Sequence, residues 1–143
     1  MTSHRSPIIL CVDDDPDDRE MMCDVLKATD PRFQLVEAGD GREAIDYLRS
    51  KEGLTNPPRL IILDMNMPRL SGRETLAILK SEAETESIPV VVFTTSNAKA
   101  DSNFCSRFGV EMVTKPPTYD ALKAIVQRFL AQVALPANFQ PSN

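Results

Sequence analysis

The sequence contains no apolar run that approaches the roughly 18 residues a membrane-spanning helix requires. Residues 1–7 are mostly polar and include no apolar segment of the kind that defines a signal peptide. We therefore expect a cytoplasmic protein that makes no contact with membranes.

Basic residues are also in short supply. The chain has 16 lysines and arginines against 21 aspartates and glutamates, which gives a formal net charge of −5 at pH 7. Proteins that bind the phosphate backbone of nucleic acids present clusters of positive charge. We therefore expect no nucleic-acid partner.

Cysteine is scarce and irregularly placed. The three cysteines are Cys11, Cys23 and Cys105, an odd number without the spacing of a disulfide framework or a zinc site. Two of them lie in apolar segments. This pattern is typical of buried, reduced thiols in a cytoplasmic protein.

The length and composition suit one domain. A chain of 143 residues with 42% hydrophobic residues can bury a core without disulfides or metals to stabilise it. We find no internal repeat and no linker to a second domain. The predicted division is a disordered N-terminus at 1–6, one domain at 7–133 and a C-terminal tail at 134–143, which we expect to be frayed from Pro136 to Asn143.

Apolar runs and helical periodicities alternate along the chain. The predicted strands cover 8–12, 33–38, 59–63, 90–93 with an end at Thr94 and Thr95, and 110–114. The first predicted helix begins at Pro16 and ends before the Asp30-Pro31 break, and the others cover 41–48, 72–80, 98–108 and 118–133. The polar stretch 49–58 is predicted to be a loop, Asp15 to cap the first helix, and Gly109 to end the fourth.

Five strand–helix units with continuously apolar strands predict an α/β fold, a five-stranded parallel doubly wound sheet with helices on both faces. Right-handed crossovers then place the C-terminal end of every strand at one edge of the sheet. Polar residues follow four of these ends: Asp13 and Asp14, Asp64, Thr94, and Lys115. We therefore expect their side chains to converge.

Carboxylates at two strand ends indicate a divalent cation, since oxygen atoms are the ligands that Mg²⁺ prefers. The acidic run also allows simpler interpretations. Asp13 and Asp14 could be acidic residues favoured by a helix N-terminus, and Asp17 and Asp18 are predicted to lie on a solvated helix face. A calcium-binding loop is excluded, because the required glycine and terminal glutamate are missing.

Four segments resemble response-regulator receiver domains in order and spacing. They are Val12-Asp13-Asp14, Leu63-Asp64-Met65-Asn66-Met67-Pro68, Val92-Phe93-Thr94 and Thr114-Lys115-Pro116. The resemblance covers about residues 7–133 and implies a flavodoxin-like (βα)5 fold. The polar insertion at 50–58 is similar to that of single-domain regulators that serve bacterial phytochromes, which implies a bacteriophytochrome as the sensor kinase.

The resemblance implies that Asp64 accepts a phosphoryl group from a sensor histidine kinase or a phosphotransfer protein. Asp14 and Asp64 would ligate Mg²⁺ directly, Asp13 through water, and Asn66 through its backbone carbonyl. Lys115 and Thr94 would contact phosphoryl oxygens. The same resemblance implies a cis peptide bond between Lys115 and Pro116.

We expect a phosphoacceptor signalling domain rather than an enzyme that acts on other substrates. A phosphatase of the aspartate-nucleophile type needs a general acid where Asn66 stands, and an amide cannot protonate a leaving group. A binding module that has lost phosphorylation is disfavoured because the residues of the resemblance are all present. No output domain is expected after the last helix, so the signal would pass by protein–protein contact. A homodimer is compatible with the sequence but not required by it.

Overall fold

The computed structural model describes residues 5–133 and 135–140. Strands and helices alternate along the chain, with one additional short helix. The elements are β1 (Ile8–Val12), α1 (Pro16–Thr29), β2 (Gln34–Ala38), α2 (Gly41–Arg49), α3 (Lys51–Thr55), β3 (Leu60–Leu63), α4 (Gly72–Ser81), β4 (Val90–Thr94), α5 (Lys99–Arg107), β5 (Glu111–Thr114) and α6 (Tyr119–Gln132).

The five strands form one parallel sheet in the order β2-β1-β3-β4-β5. This is the flavodoxin-like order, so the predicted fold is confirmed. Strands β1 and β3 lie inside the sheet, and all of their residues are buried. Their continuous apolar runs follow from this position, because helices cover both faces of the sheet.

Alternate residues of each strand pack into two separate cores. On one face, Ile9 and Cys11 of β1 pack with Leu26 of α1 and Phe129 of α6. On the other face, the intervening β1 residue Leu10 packs in the core that α2, α4 and α5 contribute to. Helices therefore pack on both faces of the sheet, and this packing fixes the positions of the strand ends at its C-terminal edge.

Side-chain caps fix where the helices begin. Asp15 accepts hydrogen bonds from the amides of Asp17 and Asp18, as predicted for the cap of α1. Ser71 and Glu74 form a capping box at the start of α4. Gly109, with φ of 67°, follows the end of α5, as predicted.

Two predictions about irregular segments are wrong. Part of the predicted loop at 49–58 is the helix α3, because the Ser50 hydroxyl caps it by accepting from the amide of Gly53. The described part of the C-terminal tail is not frayed. Arg32 donates a hydrogen bond to the carbonyl of Pro136 at 2.8 Å, and Phe139 packs against the core that α1 and α6 share.

The predictions for residues 1–4, 134 and 141–143 lie outside the described residues. Within the described residues, no helix is both long and apolar enough to cross a membrane. Cys11 and Cys105 are buried, and burial raises the pKa of the Cys11 thiol to about 12. A thiol with such a pKa is largely protonated at neutral pH and therefore poorly reactive.

Candidate functional site

Backbone hydrogen bonds place the predicted site residues at the C-terminal edge of the sheet. The amide of Asp13 donates to Ala38 at 3.0 Å, and the amide of Asp64 donates to Val12 at 3.0 Å. The amide of Lys115 donates to the carbonyl of Thr94 at 2.9 Å. Each of the three donors stands one residue beyond its strand, so the sheet ladder itself fixes its backbone.

Three carboxylates converge at this edge. Asp13, Asp14 and Asp64 each offer an oxygen atom, and these atoms lie within 4.8 Å of one another. Asp13 is 5% exposed and Asp64 is 6% exposed, whereas Asp14 faces solvent. Buried carboxylates need a cation or hydrogen-bond donors nearby. A group of oxygen ligands with one member exposed to solvent fits a divalent cation.

The ammonium group of Lys115 lies among carboxylates. Its Nζ donates to Asp13 Oδ2 at 2.6 Å, to Asp18 Oδ2 at 2.9 Å and to Asp64 Oδ2 at 3.2 Å. Burial by itself would lower the pKa of Lys115, but hydrogen bonds to Asp13 and Asp18 and the charge of Asp64 outweigh it and raise that pKa. Lys115 is therefore a fixed positive charge beside Asp64.

Asp18 is the site residue that sequence reasoning missed. It was predicted to lie on a solvated helix face, but its carboxylate is an ion-pair partner of Lys115. The two residues are 97 positions apart in the chain, so no local pattern indicates the contact. The available signal was its position in the first turn of α1, directly after the acidic end of β1.

Asp13 is held by several groups besides Lys115. Its Oδ1 accepts from the amide of Asp15 at 2.9 Å, and the guanidinium of Arg19 donates to its backbone carbonyl. Burial raises the pKa of Asp13, whereas the hydrogen bonds from Lys115 and Asp15 act in the opposite direction. Additional positive charge at this edge would therefore stabilise the ionised form.

Among the described residues, the side chains of Thr94 and Asn66 form no hydrogen bond to these carboxylates. Thr94 is fully buried, and its Oγ1 accepts from the amide of Ser96 at 3.2 Å. Asn66 is exposed, and its backbone N–H donates to Asp64 Oδ1 at 3.4 Å. Among the described residues, no hydrogen bond joins the Thr94 hydroxyl to Asp64. The contact of Thr94 with a phosphoryl group and the ligand role of Asn66 stay predictions.

A polar network connects the loop after Thr94 to two helices. Ser96 Oγ donates to Asp101 Oδ2 at 2.6 Å, and Arg73 Nε donates to Asp101 Oδ1 at 2.7 Å. The hydrogen bond from Ser96 and the nearby Arg73 guanidinium hold the pKa of Asp101 below its usual range. The network joins this loop to α4 and α5, and the sequence did not reveal it.

The peptide bond between Lys115 and Pro116 is trans, so the predicted cis bond is wrong. The trans form is the lower-energy isomer of an X–Pro bond by about 0.5–1 kcal/mol. With this bond trans, the Lys115 side chain reaches both Asp13 and Asp64.

Comparisons with known proteins identify the family. The family described as response regulator receiver domain matches residues 9–127. Response regulator Rcp1 of Synechocystis sp. is 38% identical over 101 residues, which make up 69% of this chain and 69% of Rcp1.

Two solved structures have the same fold. The crystal structure of the phosphorylated cyanobacterial phytochrome response regulator RcpA has a TM-score of 0.79 at 31% identity, and the match covers 90% of this chain and 92% of RcpA. The Mn²⁺-bound form of Rcp1 has a TM-score of 0.78 at 34% identity, with coverages of 92% and 99%. With its parallel sheet and its carboxylates at one edge, the chain belongs to the response-regulator receiver domains of two-component signalling.

Proposed function

We propose that Asp64 accepts a phosphoryl group from a phosphohistidine of a sensor histidine kinase or of a phosphotransfer protein. The observation that carries this proposal is the Lys115 ammonium, 3.2 Å from a nearly buried Asp64 carboxylate that also belongs to a group of three carboxylates. The Lys115 ammonium neutralises part of the negative charge at Asp64, and a divalent cation held by the three carboxylates would neutralise more of it, so that an anionic phosphoryl group can approach.

The transfer exchanges one bond for another. A carboxylate oxygen of Asp64 forms a bond to phosphorus while the bond from phosphorus to the histidine nitrogen breaks. The nitrogen keeps the electron pair and takes a proton from solvent. Lys115 contacts a phosphoryl oxygen as a compact cation, and the hydroxyl of Thr94 turns to donate to another. Asp14, Asp64 and the Asn66 carbonyl would hold Mg²⁺ directly and Asp13 would hold it through water, and the ion would supply further positive charge.

The phosphoryl group signals through the loop that follows Thr94. When Thr94 Oγ1 moves toward a phosphoryl oxygen, the position of the acceptor for the Ser96 amide changes with it. Ser96 also holds Asp101 at the start of α5, so this loop and the face formed by α5, β5 and α6 respond together. The domain then acts on its target by protein–protein contact at that face.

The sensor kinase is proposed to be a bacteriophytochrome. RcpA is described as a cyanobacterial phytochrome response regulator, and its structure matches 90% of this chain. The polar insertion before β3, which contains α3, supports the same assignment. We propose that the protein acts in the cytoplasm without membrane or nucleic-acid contact, and a homodimer is compatible with this function.

Incubation with acetyl phosphate and Mg²⁺ tests the proposal. We expect the intact mass to increase by one phosphoryl group, and hydroxylamine to remove the label because it cleaves acyl phosphates. Added chelator should prevent labelling. Absence of label with acetyl phosphate and with a phosphorylated histidine kinase would refute the function. A label that resists hydroxylamine would exclude an aspartyl phosphate.

Mg²⁺ is expected to stabilise the fold, because a ligand that binds only the native state raises its stability by mass action. At a concentration ten times the dissociation constant the gain is about 1.4 kcal/mol, which corresponds to an increase of roughly 5 °C in the unfolding midpoint. The measurement is thermal unfolding with and without Mg²⁺.

Asp14→Ala should abolish this increase, because it removes an exposed member of the carboxylate group. Asp24→Ala removes a charge from an exposed position of α1 outside that group, and it should retain the increase. An unchanged wild-type midpoint, or an increase that survives in Asp14→Ala, would contradict the proposed metal site.

A further inference from the structure

Lys115 has three carboxylate partners, and one of them differs from the other two. Asp13 and Asp64 are nearly buried and belong to the group that could hold a metal ion. Asp18 lies outside that group, and its side chain is 42% exposed. Its distance to the ammonium, 2.9 Å, is nevertheless between the other two.

Asp13 and Asp64 are expected to bind other groups besides Lys115. Their carboxylate oxygens also belong to the candidate cation site, and Asp64 is the proposed phosphoacceptor. A second cation at this edge repels the ammonium and competes for the same oxygens. Asp18 has no such second role, so its ion pair with Lys115 can persist while Asp13 and Asp64 bind other groups.

The structure holds Asp18 in place. It stands in the first turn of α1, where the Asp15 side chain accepts from the amides of Asp17 and Asp18. The next residue, Arg19, is bound to the carbonyl of Asp13. By contrast, Lys115 has a flexible four-carbon stem, and its ammonium needs an anchor to stay in one position.

We propose that Asp18 is a positioning residue that holds the Lys115 ammonium beside Asp64 during phosphoryl transfer. The role rests on the proposed phosphorylation of Asp64. Without the carboxylate of Asp18, Lys115 samples more conformations and meets the phosphoryl group less often. Asp18 touches neither the phosphoryl group nor the metal, so its effect operates entirely through Lys115.

The test measures initial rates of phosphorylation by acetyl phosphate at saturating Mg²⁺. Asp18→Asn keeps the size of the side chain and removes its charge, and we expect the rate to fall about fivefold. Asp17→Asn is the matched control, because it removes the same charge from the same helical turn. Among the described residues, Asp17 forms no ion pair with Lys115, and its replacement should change the rate less than twofold.

A double-mutant cycle separates positioning from a general effect of charge or folding. In a Lys115→Met background, Asp18→Asn should cause no further decrease. The inference is overturned if Asp18→Asn labels as fast as the wild type or faster, or if it slows the Lys115→Met variant by the same factor. Either result leaves the phosphorylation of Asp64 intact. Failure of the wild-type protein to label overturns both proposals.

Discussion

Replacing Asp64 with asparagine is expected to abolish phosphorylation by acetyl phosphate or by a phosphorylated kinase. An amide oxygen is a poor nucleophile, and neither of the other two carboxylates has the surroundings of Asp64. Asp13 is bonded through Oδ2 to Lys115 and through Oδ1 to the Asp15 amide, and Asp14 is exposed to solvent. The measurement is the intact mass after incubation, compared with that of the wild-type protein.

The same replacement should leave the fold intact. Asp64 lies where three carboxylates repel each other, so removing one charge relieves repulsion. The lost ion pair with Lys115 is offset because Asp13 and Asp18 still bind the ammonium. We therefore expect the unfolding midpoint to stay within a few degrees of the wild type or to rise.

Asp15→Asn is the matched control for Asp64→Asn. Asparagine caps helices as well as aspartate does, so α1 should keep its start. Asp15 lies outside the carboxylate group, and the Asp15→Asn variant should be phosphorylated to the same extent as the wild-type protein. Stoichiometric labelling of Asp64→Asn would show that another residue is the phosphoacceptor. Asp13 and Asp14, which are grouped with Asp64, would then be the first candidates.

The parts of the fold that the sequence predicted are those determined by local patterns. The runs of β1 and β4 are apolar because both sheet faces are covered. The bounds of β1 match the predicted ones, and β4 ends at Thr94, the first of its two predicted end residues. Parallel topology then followed from the alternation of strands and helices, and with it the convergence of Asp13, Asp14 and Asp64. The helix α3 was missed because one serine cap starts it within an otherwise polar stretch.

The contacts that the sequence did not predict join residues far apart in the chain. Asp18 pairs with Lys115, and Arg73 in α4 binds Asp101 in α5. An aspartate in the first turn of a helix normally needs no other partner than solvent. Only the folded structure, which brings Lys115 to the first turn of α1, shows that Asp18 has one.

Replacing Gly72 with alanine is expected to destabilise the protein by about 2 kcal/mol or more, since overpacking of this kind typically costs about 1–3 kcal/mol. A Cβ at this position would lie 2.3 Å from the carbonyl oxygen of Asp64 and 2.5 Å from the Cα of Met65. Both are backbone atoms and cannot move aside as a side chain does. The amide of Gly72 also donates to the carbonyl of Met65 at 3.0 Å. This hydrogen bond holds the start of α4 close to the backbone of Asp64 and Met65.

Because the clash falls on the backbone of Asp64, the substitution should impair function as well as stability. We expect the unfolding midpoint to fall by roughly 8 °C and labelling by acetyl phosphate to slow at temperatures where the variant is folded. Gly39→Ala is the matched control at the same edge of the sheet. Its Cβ would meet only side-chain atoms, the end of the flexible Glu43 side chain at 3.1 Å and Arg19 Nη1 at 3.7 Å. Equal unfolding midpoints for the two variants would show that the backbone after Asp64 shifts to accommodate the added methyl group. The close approach of α4 would then not determine the position of Asp64.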